Sequence, residues 1–374
     1  MDAQETKAAV ILHGIASDVE YVGRFTRDLV VCGSGTLSSV VSFCMAPYIS
    51  LVVHESRRKL QNVDPAVLAR LTRDAVAIST RSRHSLKLFE DTKRGIDGQL
   101  AYFCNEISAV YADRYLGNTW FPPARRFETD LGLYSYGGRL LTTTHVATFH
   151  LGIEPSKLPE DGVGPYLRAL FEEYGAYFGS FGARLDALGM ETFVAHLSAS
   201  ILDRSRDVRA DKYYRQVFNG KGTPELNAVL TTFQAMLNFV DAVIVAGSDV
   251  RDLEYTVFKI RYLALYQVLQ SVRMLLDDAA YSLTVKSVEN ARRIVDAHSA
   301  KLIMDPDTKH FRNTLMHYNL LPSMEIAKVD LSQPLFGLVP NYFPQYDVAT
   351  FAEMVDRCVS DTTAAFNEWG AVER

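Results

Sequence analysis

From Pro224 onward, apolar side chains return every three or four residues. Leu226, Val229, Leu230, Phe233, Leu237, Val240 and Ile244 make one wide stripe on a segment that closes at Gly247. That spacing predicts an α-helix with one buried face, and Thr223-Pro224 supplies its N-cap and first position. Asp252 to Asp278 repeats the arrangement with Val257, Ile260, Leu263, Leu265, Leu269, Val272 and Leu276. Lys286 to Ile303 reads as a third helix. A fourth opens at Asp305-Pro306 and runs to about Leu321, where Pro322 stops it. An irregular stretch with Pro334, Pro340 and Pro344 leads to a last helix, Val348 to Trp369. Mostly short links favour an antiparallel bundle of four to five helices over residues 220–374.

The pattern before residue 220 is less regular. Asp64-Pro65 opens a helical run to Phe89, and Gly98 to Tyr115 continues it. Gly117 to Arg126, with Pro122 and Pro123, reads as a loop. Gly137-Gly138 then separates two runs rich in Tyr, Leu, Thr and Val, the signature of a small β-hairpin. Tyr166 to Tyr177 and Met190 to Leu202 return to helical spacing. Gly220, Gly222 and Pro224 break the chain near Asn219. The expected organisation is a largely helical first domain, 1–219, and a helical bundle, 220–374. The fold class is mostly α.

Composition adds limits. Lys plus Arg is 39 and Asp plus Glu 44, a net charge of −5, so nucleic acid would have to be met by a local basic patch. One stands out: Arg204, Arg206, Arg209, Lys212 and Arg215, interleaved with Tyr213 and Tyr214. It reads either as a solvated helix face or as a strip that contacts RNA phosphates. Cys32, Cys44, Cys104 and Cys358 are too scattered for a zinc site or a disulfide framework and suit a reducing cytoplasm. The acidic start, MDAQETK, is unlike a signal peptide. The run Thr36 to Val53, broken by Ser38, Ser39, Ser42 and Pro47, reads as a buried helix pair and not as a membrane span.

Cys32-Gly33-Ser34-Gly35-Thr36 lacks the lysine and spacing of a phosphate loop, and His145 and His150 are five apart, not the four of a zinc-protease helix. The run with chemical content is His310-Phe311-Arg312-Asn313-Thr314-Leu315-Met316-His317-Tyr318. On a helix, Phe311, Leu315 and Tyr318 share a core face. Arg312 and His317 lie about 140° apart on its flanks, with Asn313, Met316 and Leu320 between them.

Arg-Asn-x-x-x-His resembles the motif of HEPN domains, all-α bundles that carry it near the start of a late helix. The resemblance covers about Pro224 to Arg374. It implies a metal-independent endoribonuclease with no cofactor, acting on RNA by 2′-hydroxyl attack. By carry-over, His317 is the general acid/base, Arg312 the phosphate clamp and Asn313 an orienting polar group, and no metal ligand is needed. It also implies a homodimer in which two such sets face each other across the face holding Met316 and Leu320, a toxin or defence role, and an antitoxin or regulatory partner. Non-catalytic family members give the alternative: a dimerisation or nucleotide- and RNA-binding sensor module.

Overall fold

The structure is a computed structural model. It describes residues 3–33, 35–61, 70–91, 93–157, 163–180, 191–220, 223–245, 254–321, 324–325 and 328–371, with only the backbone of 3 and 203–205. The expected helix start at Asp64-Pro65, the glycines at 222 and 247 and the stop at Pro322 lie outside them.

The chain is mostly helical, with one small sheet. The first part holds α1 (Ala3–Cys32), α2 (Thr36–Leu60), α3 (Arg73–His84), α4 (Gly95–Ala101) and α5 (Ala109–Tyr115). Then come β1 (Leu131–Tyr136), β2 (Arg139–Thr143), α6 (Thr144–Leu151), α7 (Val163–Gly179), β3 (Leu202–Val208) and α8 (Ala210–Tyr214). From Pro224 on, the described residues are helices and irregular links: α9 (Pro224–Phe239), α10 (Tyr255–Asp277), α11 (Val285–Val295), α12 (His298–Ile303), α13 (Lys309–His317), α14 (Val339–Tyr342) and α15 (Val348–Trp369).

The hairpin forms where expected. Gly137 (φ 56°) and Gly138 (φ 76°) carry the turn, and both positive angles are what a tight two-residue hairpin demands of its central pair. The expectation of a helix up to Leu202, followed by a polar stretch, is corrected. Leu202–Val208 is a third strand, antiparallel to β1, giving the order β2-β1-β3. Its sequence, LDRSRDV, has no strong strand preference, and the free edge of β1 supplies the ladder that its composition does not predict.

The expected helix pair at Thr36–Val53 is one helix. α2 runs 25 residues straight through Pro47, and burial among its neighbours outweighs the lost hydrogen bond. α2 and the segment Pro224–Val245 are long and apolar enough to cross a membrane, but 72% and 83% of their apolar windows are buried inside the fold. The expected third helix is broken at Asp296-Ala297, where Ala297 turns extended.

One apolar cluster runs from Val10 in α1 to Trp369 in α15. Asn219, at the expected domain boundary, is buried within it. Its side-chain amide donates to Thr223 Oγ1 (2.8 Å) and the Ser282 carbonyl (3.2 Å), and its Oδ1 accepts from Thr284 N (2.7 Å). The chain therefore crosses that point inside packed structure. A second polar knot joins α1 to α10: the Asp18 carboxylate is fully buried and accepts from Lys259 Nζ (2.6 Å), Thr256 Oγ1 (2.8 Å) and Tyr318 Oη (2.5 Å).

His145 and His150 are both core residues on α6, 0% and 3% exposed. Burial pushes them down to about 3 and about 4. Neither ring nitrogen of His150 has a hydrogen-bond partner. A folded value below the unfolded one, about 6.5, means that the unfolded chain takes up protons first. Stability is then level above about pH 6.5 and declines as pH falls toward 4. His150→Leu should remove its share of that loss, up to about 3 kcal/mol. Melting temperatures at pH 7.5 and 4.5 should lie closer together in the variant than in the parent; an unchanged gap would show that His150 does not contribute.

A charged seam around Arg312 and His317 as candidate functional site

The motif helix is shorter than its spacing predicts. Asp305 caps a 3-10 turn at Pro306–Thr308, which feeds α13. The helix ends at His317 because Tyr318 takes a left-handed conformation, φ 50°. Side chains rarely adopt it, and here it turns the Tyr318 ring inward, where its hydroxyl meets Asp18 and Lys259. Phe311, Leu315 and Tyr318 are buried as expected.

The other face departs from expectation. Met316 is fully buried and Arg312 is only 7% exposed. The mixed face predicted to meet a second copy is thus partly covered by the first part of the same chain. His317 and Arg312 each face a carboxylate that the motif gave no sign of: Glu55 of α2 and Glu90, which ends a short 3-10 turn (Ser85–Glu90) after α3.

Arg312 Nη2 donates to Glu90 Oε2 at 3.0 Å, and Nη1 donates to Asn313 Oδ1 at 3.1 Å. The Gln267 amide fits its surroundings with its oxygen toward Arg312. It then accepts from Nε at 3.0 Å and donates to Glu90 Oε2 at 2.9 Å. The guanidinium also lies 5.6 Å from the Tyr266 ring centroid, within cation–π range. Leu88, in the turn that carries Glu90, sits at φ 46°, ψ −124°, a strained conformation held by packing.

His317 Nδ1 lies 3.0 Å from Glu55 Oε1, and Arg83 Nη1 lies 3.1 Å from the same oxygen. The Arg83 contact is an ion pair, and the His317 contact holds the ring against the same carboxylate. Glu55 is 1% exposed while the His317 side chain keeps 18% exposure. Burial pushes the Glu55 carboxyl up, but His317, Arg83 and His54 together hold it below the usual carboxylate range. His54, next to it, is pushed down to about 4 by burial and by Arg83. Lys87, in the Glu90 turn, is lowered by burial and by the fields of Arg83 and Arg312.

The arrangement can do two things. A buried carboxylate can orient His317 and support its protonated form, as a third group does for many catalytic bases. Arg312 can bind an anion through its planar fork, once Glu90 yields its place. Glu55 had a faint signal in the sequence, a lone carboxylate just past the apolar run of α2. Glu90, Arg83 and Gln267 had none, because only tertiary packing brings them to α13.

The basic strip is divided. Arg206 lies on β3, Arg209 precedes α8, Lys212 is on it and Arg215 follows, all four exposed. Arg215 is held by Asp211 at 2.7 Å. The side chain of Arg204 lies outside the described residues. The predicted strip is therefore not one helix face.

Comparison of the chain with protein-family models, with curated proteins and with solved structures finds no match.

Replacing Glu55 by Gln keeps its shape and removes its charge, leaving Arg83 without its counter-ion and His317 without its carboxylate partner. Breaking a buried pair in this way costs about 3–5 kcal/mol. The Glu55 carboxyl lies below its ordinary value in the fold, so its contribution is present at neutral pH and fades as pH falls through the folded value. Denaturant titration should therefore show a large loss at pH 7 that shrinks toward pH 3. Equal stability of parent and variant at pH 7 would show that the seam is not a structural pair.

Proposed function

We propose that the chain is a HEPN-type, metal-independent endoribonuclease whose motif rests in a masked state. The observation that carries this reading is the pairing of His317, still partly exposed, with the buried Glu55 carboxylate. In this reading His317 takes the proton from an RNA 2′-hydroxyl as that oxygen attacks the adjacent phosphate. The protonated ring, supported by Glu55, returns a proton to the leaving 5′-oxygen or passes it to solvent. Arg312 holds the phosphate and its growing charge, with Asn313 fixing the guanidinium plane. Glu90 occupies Arg312 at rest, a carboxylate standing where a phosphate would bind. The strained turn at Leu88 favours its release.

A second reading rests on the saturation of Arg312. Its donors face Glu90, Gln267 and Asn313 within the fold. On that reading the pair is a latch between the two parts of a non-catalytic binding module.

The two separate in one experiment, in which purified variants are incubated with total RNA in EDTA. Under the nuclease reading Glu90→Gln raises cleavage about tenfold or more over the parent, and the products carry 2′,3′-cyclic phosphate ends. His317→Ala and Arg312→Ala each remove most activity, and the double variant is little worse than either, because the groups act as a unit. A folded Glu90→Gln protein that cuts no RNA, together with a several-degree fall in melting temperature for Arg312→Ala, would leave only the latch.

A further inference from the structure

Among the described residues, the exposed tryptophan, phenylalanine and tyrosine side chains lie in and beside one loop, far along the chain from α13. Between α5 and β1, Trp120 is 89% exposed, Phe127 71% and Phe121 50%, and Tyr115 at the end of α5 is 43% exposed. A large aromatic side chain left in water costs free energy, and several together mark a surface built to be covered.

The loop holds them in place. The Glu128 carboxylate accepts from the backbone N–H groups of Gly117 (2.6 Å) and Thr119 (2.7 Å). Arg125 Nε donates to the Thr119 carbonyl (3.1 Å), and the Asn118 amide donates to the Arg114 carbonyl (2.6 Å). Pro122 and Pro123 stiffen the turn that follows. Trp120 and Phe121 pack ring on ring at 5.8 Å, and the Arg126 guanidinium lies 4.7 Å from the Phe127 ring. The aromatic rings are thus presented in a fixed arrangement, so little ordering is left for binding.

Both ends of this loop, Leu116 and Arg126, border a groove of about 690 Å³ whose opposite wall is α8 and its flanks. Arg126, Arg209, Lys212 and Arg215 line it together with Asp130, Asp211 and Glu225. Asp211 is taken up by Arg215, and Asp130 is buried and accepts from Ala210 N at 2.8 Å. Arg126, Arg209 and Lys212 make no ion pair among the described residues. The groove therefore offers cations to an incoming anion.

The geometry points to a binding site for single-stranded nucleic acid: bases stack on Trp120 and Phe127, and the phosphate backbone follows Arg126, Arg209 and Lys212 along the groove. Stacking platforms beside a cationic groove are the common solution for single strands, because every base has a flat face and every linkage a charge. An anionic bilayer also attracts aromatic and basic loops. It would, however, meet the groove as a plane and bring Glu225 and Asp211 against negative headgroups. A strand can thread past them. The site goes beyond the nuclease reading, since binding here needs no cleavage.

The test uses the full chain and an oligodeoxythymidylate of about ten nucleotides, a length in the range of such sites. DNA has no 2′-hydroxyl, so this binding cannot depend on the proposed cleavage. The protein has two tryptophans, and Trp369 is buried, so a change in emission reports Trp120. The oligonucleotide should quench that emission. Trp120→Ala should weaken its binding, read by anisotropy, about tenfold to a hundredfold, and Arg126→Glu with Lys212→Glu should weaken it and flatten its salt dependence. Binding unchanged by Trp120→Ala and by the charge reversals would overturn the site. So would a blue-shifted Trp120 on phosphatidylcholine–phosphatidylserine vesicles with no binding of the oligonucleotide, which would assign the loop to a membrane surface.

Discussion

The buried Asp18 carboxylate ties α1 to α10 and to the residue that ends α13. A charge at 0% exposure is tolerated only when it is neutralised and its lone pairs are filled. Lys259, Thr256 and Tyr318 do both, from α10 and from the residue after α13. The demand of one side chain on α1 therefore sets how α1 lies on α10. It also sets where Tyr318 must turn its ring, and so where α13 ends and His317 stands. Burial and the Asp18 charge push the Tyr318 hydroxyl well above its usual range, so it stays a donor to that carboxylate. Lys259 also lies 4.4 Å from the Tyr318 ring centroid, over its face.

The seam beside it follows the same logic with a different result. Glu55 and Glu90 reach α13 from the first part of the chain, Glu55 meeting the His317 ring and Glu90 the Arg312 guanidinium. Buried pairs of this kind are weak sources of net stability but costly to break, so they specify one arrangement of the two parts. Chemistry and architecture then use the same atoms. A His317 oriented by Glu55 is suited to proton transfer, whereas an Arg312 saturated by Glu90 and Gln267 is suited to holding the parts together. The proposed masked nuclease places both roles in one molecule, with the Glu90 turn as the element that changes partner.

The aromatic loop lies at the other end of the argument, since it is exposed where the seam is buried. Its rings gain nothing from the core, and its internal hydrogen bonds maintain a shape whose only evident use is contact with something outside. α8 and its flanks set the facing wall, and they bring Arg209 and Lys212 opposite Arg126 although some eighty residues separate them in sequence.

Periodicity alone was enough to place α9, α10 and α15, because a stripe at three- and four-residue spacing has one physical solution. The same holds for the Gly137-Gly138 hairpin, whose two positive φ angles few other residues can adopt, and for the burial of Phe311, Leu315 and Tyr318. Local pattern could also single out Arg312, Asn313 and His317 as a set. It could not say what they face. The continuity of α2 through Pro47, the β3 strand, the early stop of α13 and the partners Glu55 and Glu90 all depend on contacts between residues far apart in sequence. Such contacts leave no period in the chain, and burial outweighs local preference wherever the two conflict. The sequence thus determined which segments are helical and which side chains carry chemistry; tertiary packing decided which of those side chains meet, and against what charge.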